Sequence, residues 1–413
     1  MIGREYLAEL ISARERGCSV LKVSPPLLAA DWADKHFRLV AESSNEPGPW
    51  ETLPCQRSIL NAMGHDDIRE VNVMKSTRVG YTKMLVAAAA YLVEHKHRSG
   101  VIYQPVDEDA KGFVRDEIDP VLRDVECLSS ILLAKPDSKS GKNTTEVKHF
   151  AGAVLNIRGG KAARAYRRLT RDFALMDEVD GFGSDIEGEG SPVKLAGQRV
   201  KNATFPKEVR GSSAGERDTS KIEPLFQDSD RQYRRYLPCL HCDAMQPLDW
   251  SQFLQEDSEN TGHACKECGG LMRYEDFADA DRKGRYQTES GHWIDDATFQ
   301  FYTPEGEPEQ MPRRIGFHLW SAYSYFQQWG ALVDTFHQAK KKQKRGDHSE
   351  MKAFVNLELG ETWQDELDKI ESGSLFDRRE SYKRDAVPNG VLMVTCAADW
   401  QRDRVEIERV GWG

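Results

Sequence analysis

The stretch VNVMKSTRVGYTKMLVAAAAYLVEHK, residues 71–96, decides the fold predicted for this sequence. An apolar run leads into a short polar turn and then into a long alanine-rich segment. This is the strand–turn–helix outline of a phosphate-binding loop. Only Gly80 and Thr82 match the pattern G-x-x-x-x-G-K-[ST], whereas Lys75 stands at the first glycine position and Tyr81 at the lysine position. Half of the pattern fails, so a nucleotide site needs support from a second motif.

The segment nevertheless offers what phosphate binding requires. These requirements are backbone N–H groups at a helix N-terminus, a nearby cation and a hydroxyl for magnesium. Lys75, Arg78 or Lys83 can supply the cation, and Gly80 permits close backbone approach. The nucleotide-binding residues predicted here are Lys75, Ser76, Thr77, Arg78, Val79, Gly80, Tyr81, Thr82 and Lys83.

The second motif is FALMDEVD, residues 173–180, an apolar strand that ends in two acids. In a Walker B strand the first acid, here Asp177, binds magnesium together with the Thr82 hydroxyl. The second, here Glu178, orients and deprotonates the water that attacks the γ-phosphate. An acidic loop after a buried strand is the alternative. The order of the two motifs favours an ATPase.

Two weaker signals flank these motifs. In PWETLPCQRSI, Gln56 precedes the loop at a distance where its carboxamide could read an adenine edge, although a plain surface glutamine fits as well. In RGSSA, residues 210–214, a strand ends in hydroxyls that could sense the γ-phosphate, and Ser212 is the residue predicted for this role.

The pattern of elements predicts an α/β fold. Strands over 70–75, 100–104 and 172–176 alternate with helices, one of which is predicted over 107–125. Such alternation indicates a P-loop NTPase core with a mostly parallel sheet and helices on both faces.

Four cysteines predict a metal site. Cys239-x-x-Cys242 and Cys265-x-x-Cys268 place four thiolates in two tight loops, which is zinc-ribbon spacing. The surrounding module has little core of its own, so a metal would stabilise it. We therefore expect structural Zn²⁺ bound by all four thiolates, with no open position for catalysis.

The bulk composition bounds the function. The chain has 413 residues, 39% of them hydrophobic and 30% charged, with a net charge of −10. These values favour a soluble protein of two or three domains. No apolar run approaches the roughly 20 residues of a membrane span, and the N-terminus lacks the apolar core of a secretory signal. We expect a cytoplasmic protein without a membrane partner.

Three basic runs, residues 158–171, 231–235 and 340–345, are either solvated surface or a grip on phosphates. At the other end of the chain, GVLMVTCAADWQRDRVEIERVGWG, residues 390–413, predicts two strands joined by a turn. Asp399 ends the first strand. It is either a capping acid or the first carboxylate of a two-metal nuclease centre.

The sequence resembles the large terminase subunit of lambda-like tailed phages, from about Asp31 to Gly413. The resemblance rests on ETLPCQRSI, REVNVMKSTRVGYTKML, GGKAARAYR, DIEGEGSP, RGSS, both C-x-x-C pairs, HLWSAYS and LGETW. It implies an ATP-driven motor that packages viral double-stranded DNA, with a C-terminal RNase H-like nuclease that cuts concatemers. A loop lysine moved to the front is a trait of this family, so Lys75 would replace the conventional lysine.

The resemblance also implies residue roles. Lys75 would contact the β- and γ-phosphates, Thr82 and Asp177 the magnesium ion, and Glu178 would be the catalytic base. Ser212 would couple hydrolysis to movement. Asp399 would be the first catalytic and metal-binding carboxylate of the nuclease.

An arginine finger is also implied, either the catalytic Arg78 or an arginine of residues 164–171 acting on a neighbouring subunit. The implied cofactors are ATP, Mg²⁺ and Zn²⁺. The implied partners are double-stranded DNA, the small terminase subunit, the procapsid portal and further copies in a homo-oligomeric ring, in the host cytoplasm.

The predicted organisation follows from these segments. It comprises an N-terminal helical appendage (1–50), a P-loop ATPase core (51–236), a zinc-binding insertion (237–300), the C-terminal part of the ATPase with a linker (301–388) and the first hairpin of the nuclease (389–413). DNA cleavage is expected only if the chain continues beyond Gly413. The alternatives are a superfamily 2-like helicase or translocase and a non-enzymatic zinc-ribbon DNA-binding protein.

Overall fold

The computed structural model describes residues 4–18, 26–44, 46–133, 143–364, 386–400 and 405–413. The chain forms two compact units, Met1–Trp363 and Gln364–Gly413.

The strands are short on the whole and are numbered in chain order. They are β1 (Arg38–Leu39), β2 (Gly48–Pro49), β3 (Glu70–Lys75), β4 (Gly100–Gln104), β5 (Val147–Phe150), β6 (Ala153–Gly159), β7 (Phe173–Asp177), β8 (Lys207–Ser212), β9 (Arg231–Pro238), β10 (Met245–Pro247), β11 (His263–Ala264), β12 (Leu271–Met272), β13 (Arg285–Gln287), β14 (Trp293–Ile294), β15 (Phe301–Tyr302), β16 (Pro308–Glu309), β17 (Arg314–Leu319), β18 (Met393–Trp400) and β19 (Val405–Trp412).

One large sheet organises the first unit. Within the described residues it has 13 strands in the order β16-β15-β14-β13-β9-β17-β3-β8-β7-β4-β6-β5, with β10 also paired to β9. The strands from β9 to β6 are parallel, and the flanking strands are antiparallel. The predicted mostly parallel α/β sheet is confirmed.

The helices are likewise numbered in chain order. They are α1 (Arg4–Cys18), α2 (Ala29–His36), α3 (Pro54–Gly64), α4 (Tyr81–Glu94), α5 (Asp107–Phe113), α6 (Asp119–Asp124), α7 (Glu126–Ile131), α8 (Pro192–Val200), α9 (Ile222–Gln227), α10 (Tyr274–Arg282), α11 (Trp329–Gln343) and α12 (Ser349–Ala353). Single 3-10 turns lie at Ala163–Ala165, Val179–Gly181, Trp250–Gln252 and Ser321–Tyr323, and π-helical turns at Val114–Ile118 and Phe354–Leu359.

Helices cover both faces of the parallel strands. On one face α3 and α4 contribute to the larger hydrophobic core, and on the other α8 and α9 pack on a second cluster. Strands β3, β4, β7 and β8 are buried along their whole length or nearly so. Both faces of a central parallel strand are covered, so buried and exposed positions do not alternate along it.

The helix predicted over 107–125 is confirmed. The chain is helical without interruption from Asp107 to Asp124, as α5, the π-helical turn Val114–Ile118 and α6. Pro120 lies near the start of α6, directly after the π-helical turn. A proline cannot donate an intrahelical hydrogen bond, and the wider turn before it accommodates its ring.

The segment after β9 has two parts. Strands β13 to β16 extend the large sheet as an antiparallel edge. The hairpin of β11 and β12 forms a small separate sheet that carries the second cysteine pair.

The second unit contains the antiparallel hairpin of β18 and β19, paired from Met393 with Trp412 to Trp400 with Val405. No helix in the described part of the chain is long and apolar enough to cross a membrane.

The topology fixes where a ligand would bind. Parallel strands end at a common edge, and ligands of α/β sheets bind outside those carboxyl ends. Lys75 ends β3, Ser212 ends β8, Asp177 ends β7 and Gln104 ends β4. These strands are immediate neighbours in that order.

Candidate active site

The loop after β3 has the shape of an anion-binding turn. Gly80 stands just before α4 with a φ of 78°, in the left-handed region that favours glycine. Arg78, with a φ of 58°, is exposed at the turn. The 14-residue helix α4 then begins at Tyr81. The N–H groups of its first turn lack intrahelical acceptors and lie at the positive end of the helix dipole.

The cation of the site is Lys75. Its side chain is buried at the end of β3, and its Nζ lies 2.6 Å from Oε1 of Glu178. The ammonium therefore approaches the loop from the strand rather than from the helix. The structure brings together the two residues that the sequence predicted as phosphate ligand and general base.

Tyr81 occupies the position of the conventional lysine, but its side chain points into the core. A Cβ placed on Gly211 of β8 would lie 2.1 Å from Cζ of the Tyr81 ring. Burial raises the pKa of the Tyr81 hydroxyl well above its ordinary value. The predicted nucleotide contact of Tyr81 is thus confined to its backbone N–H, since its ring packs under the loop.

Two oxygen ligands face each other beside Lys75. The Thr82 hydroxyl donates to Oδ2 of Asp177 at 3.3 Å. Burial raises the pKa of Asp177 to about 6, an effect that the Lys75 ammonium opposes. A hydroxyl and a carboxylate are hard ligands of the kind that Mg²⁺ prefers, so the pair fits a magnesium ion.

The Glu178 carboxylate is held on both sides. Its Oε1 pairs with Lys75, whereas Oε2 accepts from the Ser212 hydroxyl at 3.2 Å and from the N–H and hydroxyl of Ser213, each at 3.3 Å. Ser212 therefore lies at the general base, beside the position predicted for it. Ser213 was not predicted, although the doubled serine in RGSSA was a signal for it.

Asp180 is a further residue that the sequence analysis missed. Its N–H donates to the Ser212 hydroxyl at 3.2 Å, and its carboxylate accepts from the N–H groups of Gly215, Lys221 and Ile222 at 2.8 to 2.9 Å. The last acid of DEVD thus ties the loop after β8 to the acid motif.

Gln56 supports the loop from below. Its Nε2 donates to the Val79 carbonyl at 3.0 Å, and its Oε1 accepts from the Leu53 N–H at 3.3 Å. A Cβ on Gly80 would lie 2.5 Å from Nε2 of Gln56, which gives this glycine a second reason to lack a side chain. An adenine contact by Gln56 stays a prediction.

Lys83 is not brought to the site. Its ammonium lies 2.5 Å from both Glu117 and Ser43, on the far side of the first turn of α4. The loop cation among the three candidates is therefore Lys75, with Arg78 exposed at the rim.

The strap, which we define as residues 354–363, crosses behind the loop. The Leu357 carbonyl accepts from both the N–H and the hydroxyl of Thr77, at 2.9 and 3.1 Å. Gly360 has a φ of 64°, and a Cβ there would lie 2.7 Å from the Ser76 nitrogen. The Ser76 N–H itself donates to the Leu319 carbonyl. The structure thus directs these N–H groups of Ser76 and Thr77, predicted as nucleotide ligands, to protein carbonyls.

The strap is also fixed at two other points. Trp363 exchanges backbone hydrogen bonds with Gly215 and Arg217, in the loop after β8. Nearer the loop, Nε2 of His318 lies 3.0 Å from the Leu359 carbonyl. Burial lowers the pKa of His318 to about 3. LGETW therefore links the phosphate loop to the loop after β8, which begins with the Ser213 that binds Glu178.

The four predicted zinc ligands meet in space. The sulfurs of Cys239, Cys242, Cys265 and Cys268 all lie within 4.8 Å of one another. The two closest pairs are 3.7 and 3.8 Å apart. A tetrahedral site with Zn–S bonds of about 2.3 Å has S···S edges of about 3.8 Å. The cluster fits zinc bound by four thiolates.

The basic run 231–235 is not a surface grip. It forms β9, in which alternate side chains point inward, so Arg235 is fully buried between Asp281 and Asp296. Arg234 donates to Nδ1 of His318 at 2.9 Å. By contrast, the lysines of the run 340–345 at the end of α11 are exposed.

Asp399 lies on β18 in the second unit, opposite Glu406 in the register, and its side chain is exposed. Its role as a nuclease carboxylate stays a prediction.

Comparison with known protein families gives two matches. A family model described as the phage terminase large subunit gpA, ATPase domain, matches residues 44–293, more than half of the chain. A second, described as the terminase large subunit gpA, endonuclease domain, matches residues 314–413. The predicted boundary at 389 stays a prediction.

Two curated relatives are similar along nearly the whole chain. The terminase large subunit of Escherichia phage lambda is 37% identical over 402 residues, 94% of this chain and 61% of the relative. That of Enterobacteria phage P21 is 36% identical over 416 residues, 98% of this chain and 63% of the relative. The chain thus spans about three-fifths of the length of these relatives.

Solved structures give more distant matches. The HK97 bacteriophage large terminase shares 9% identity, with a TM-score of 0.39, over 49% of this chain and 40% of that chain. The Thermus phage P74-26 large terminase ATPase domain shares 10% identity, with a TM-score of 0.37, over 74% of this chain and 93% of that chain.

Proposed function

This chain belongs to the family of phage terminase large subunits, and on that premise we propose that it hydrolyses ATP to drive double-stranded viral DNA into a procapsid. The observation that carries the proposal is the 2.6 Å ion pair of Lys75 and Glu178 beside the Thr82–Asp177 pair. A cation, a general base and two oxygen ligands meet at one edge of the parallel sheet. Phosphoryl transfer to water needs this set of groups.

In this proposal Thr82 and Asp177 hold magnesium. Burial raises the pKa of Asp177 to about 6 even with the Lys75 ammonium beside it, and a further cation at the site would favour the ionised carboxylate. When bound, magnesium neutralises charge on the phosphate oxygens.

Lys75 and Glu178 perform the hydrolytic step. Lys75 donates to the β- and γ-phosphate oxygens, which compete with Oε1 of Glu178 for the ammonium. Glu178 takes a proton from the attacking water as the new P–O bond forms and the bond to the ADP oxygen breaks. The side chain of Glu178 is 41% exposed, so water can reach it.

The contacts of Glu178 supply a route for coupling. When Glu178 turns toward water it leaves Ser212 and Ser213 at the end of β8. The loop that follows them is bound to Trp363 of the strap, and the strap is bound to Thr77. We infer that the movement of Glu178 during hydrolysis is transmitted through these contacts to the loop after β8 and to the strap.

The nucleotide itself would bind to the N–H groups from Arg78 to Thr82, with Gln56 supporting the turn through the Val79 carbonyl. An adenine contact would require the buried Gln56 carboxamide to leave its two protein partners. Arg78 is exposed at the rim and is one candidate for the arginine that neutralises transition-state charge. Arg164, exposed in the run 158–171, is a candidate for the same role in a neighbouring subunit.

The proposed partners are those of a packaging motor: duplex DNA, the small terminase subunit, the procapsid portal and further copies of this chain in a ring, in the host cytoplasm. A motor that accepts any sequence must hold phosphates rather than bases. The exposed run 340–345 offers charges for that contact.

The four-cysteine site and the second family match complete the proposal. All four cysteines would bind one structural Zn²⁺, which leaves no open position for catalysis. We propose that residues 314–413, which match the endonuclease family model, contribute to a nuclease with Asp399 as its first metal-binding carboxylate.

The test is the ATPase rate of the purified protein with no DNA, with single-stranded DNA and with double-stranded DNA, beside a Glu178→Gln variant. We expect hydrolysis that requires Glu178 and rises with duplex DNA. Stimulation by single strands alone would favour a helicase. Absence of both hydrolysis and ATP binding would overturn the nucleotide site.

A further inference from the structure

The amide of Gln104, at the carboxyl end of β4, is not explained by the fold. The side chain is 6% exposed, and its buried Nε2 has no hydrogen-bond partner among the described residues. Nearly all buried polar groups in proteins are paired, because an unpaired donor has lost its water without replacement. A donor left unpaired at the carboxyl edge of the parallel strands is available to a ligand bound there.

The register places this amide beside the acid motif. Strands β4 and β7 are parallel neighbours, and Tyr103 pairs with Met176. The next residues along the two strands are Gln104 and Asp177. Neighbouring in-register residues of a sheet share a face. Ile102 and Leu175, two positions earlier, are both buried in the core cluster under α4. Gln104 therefore lies on the face where Asp177 meets Thr82.

The backbone on both sides of Gln104 is fixed. Its carbonyl accepts from the Gly160 N–H at 2.7 Å. The following residue, Pro105, packs against Gly181 in the turn after Glu178, where an added Cβ would come within 3.2 Å of it. The amide is thus held at the rim of the acid motif.

We propose that Gln104 is a positioning residue of the ATPase centre, whose amide N–H donates to an oxygen on the γ-phosphate side, either a γ-phosphate oxygen or the attacking water. The inference rests on the proposed ATPase function. A carboxamide suits this place because it offers two donors without adding charge beside Asp177 and Glu178. Glutamine performs a comparable orienting role in other nucleotide hydrolases.

The experiment compares Gln104→Met with a matched control, Gln246→Met. Gln246 is also a buried glutamine, 7% exposed, but its Oε1 accepts from the Lys266 N–H at 3.1 Å, and it lies on β10 away from the site. Three quantities are measured for each variant: the thermal midpoint without nucleotide, kcat and KM for ATP, and the affinities for ADP and for a non-hydrolysable ATP analogue.

For Gln104→Met we expect a fall in kcat of about 100-fold, the size seen when one preorganised donor is removed. The thermal midpoint should stay the same or rise, because no hydrogen bond of the amide nitrogen is lost. The control should show the reverse, a lower midpoint with kcat unchanged. Weaker analogue binding with unchanged ADP binding identifies a γ-phosphate oxygen as acceptor, whereas a fall in kcat alone identifies the water.

Two results overturn the inference. One is a kcat within twofold of wild type in Gln104→Met while Glu178→Gln remains inactive, which leaves the proposed function standing. The other is a midpoint lowered as much as in the control, which shows a structural role. If wild type itself neither hydrolyses nor binds ATP, the proposed function fails first.

Discussion

Two ion pairs in the same sheet have opposite characters. Lys75 and Glu178 meet at the carboxyl edge of the parallel strands, where the Glu178 side chain is 41% exposed. Arg235 and Asp281 meet under the antiparallel extension, where both side chains are 0% exposed. The first pair is open to solvent on the Glu178 side, whereas the second is sealed from solvent. Both pairs join a cation to a carboxylate, so burial and complete hydrogen bonding are what distinguish the structural pair from the pair at the candidate active site.

The structural pair belongs to a closed network. Asp281 accepts from Arg235, from the Tyr325 hydroxyl at 2.8 Å and from the N–H of Cys55 at 3.2 Å. The last contact lies in the first turn of α3, the helix that carries Gln56. The buried network of Arg235 and Asp281 is therefore hydrogen-bonded directly to the helix that supports the loop.

The four-cysteine site is a third region of the first unit, separate from both ion pairs, and its loss should have the largest effect. Cys239→Ser removes one of four thiolates, and structural zinc contributes on the order of 10 kcal/mol to the folding of small modules. We expect the zinc content to fall from one equivalent to near zero and residues 239–268 to become sensitive to protease, while ATP still binds. Metal analysis, limited proteolysis and a nucleotide-binding assay check this. Loss of ATP affinity in a protein with an intact core would contradict the separation of the two regions.

Breaking the buried pair should have the next largest effect. Asp281→Ala leaves Asp296 and the backbone carbonyl of residue 281 as partners of the Arg235 guanidinium. Removal of one partner from a buried ion pair typically costs about 3–5 kcal/mol. We expect that loss in the free energy of unfolding, measured by denaturant titration. Glu178→Gln is the comparison variant, because Glu178 is 41% exposed and the Lys75 ammonium also faces the charge of Asp177, so we expect a smaller loss there. Equal losses of stability in the two variants would contradict the difference between the buried Arg235–Asp281 pair and the Lys75–Glu178 pair.

The sequence revealed the parts of the site that depend on local pattern. Asp177 and Glu178 were predictable because an apolar strand that ends in two acids is the local pattern of a Walker B motif. Thr82 was predictable because it lies two residues after the loop glycine Gly80. The parallel sheet was predictable from alternation of strands and helices. The burial of Arg235 was also within reach, since Tyr233, Arg235 and Leu237 occupy alternate positions of one strand.

Long-range contacts account for what was missed. Nothing local shows that Lys83 pairs with Glu117 or that Gln56 binds Val79. The contact between Thr77 and Leu357 joins residues that are 280 positions apart. Such partners are set by how helices and loops pack on the sheet edge, and that packing follows from the whole fold rather than from a motif.

A third test asks whether the strap, residues 354–363, is needed to hold the phosphate loop in its active conformation. Gly360→Ala places a Cβ 2.7 Å from the Ser76 nitrogen and 2.8 Å from the Lys75 carbonyl carbon, so the loop backbone must move. Gly306→Ala is the matched control, because Gly306 also has a positive φ, 87°, but has nothing within 4 Å. Left-handed strain of about 1–3 kcal/mol applies to both. Only Gly360→Ala should lower kcat/KM, by about tenfold. An equal effect in both would assign the loss to backbone strain alone.

The smallest expected effect is a pH dependence at His318, which joins the two regions through Arg234 on one side and Leu359 on the other. Burial lowers the pKa of His318 from 6.5 to about 3. The unfolded chain therefore takes up a proton below pH 6.5 that the folded chain does not. The stability contributed by neutral His318 is complete above that pH and is lost progressively as the pH falls toward 3.

Between pH 7.5 and 5.5 this group should reduce the free energy of unfolding by about 1.4 kcal/mol. His318→Gln removes the titration but keeps one donor and one acceptor for the same neighbours. Denaturant titrations at the two pH values should therefore show a drop about 1.4 kcal/mol smaller in the variant than in wild type. An identical drop in both proteins would mean that His318 is protonated in the folded state, and hence that the strap is not held by a neutral imidazole.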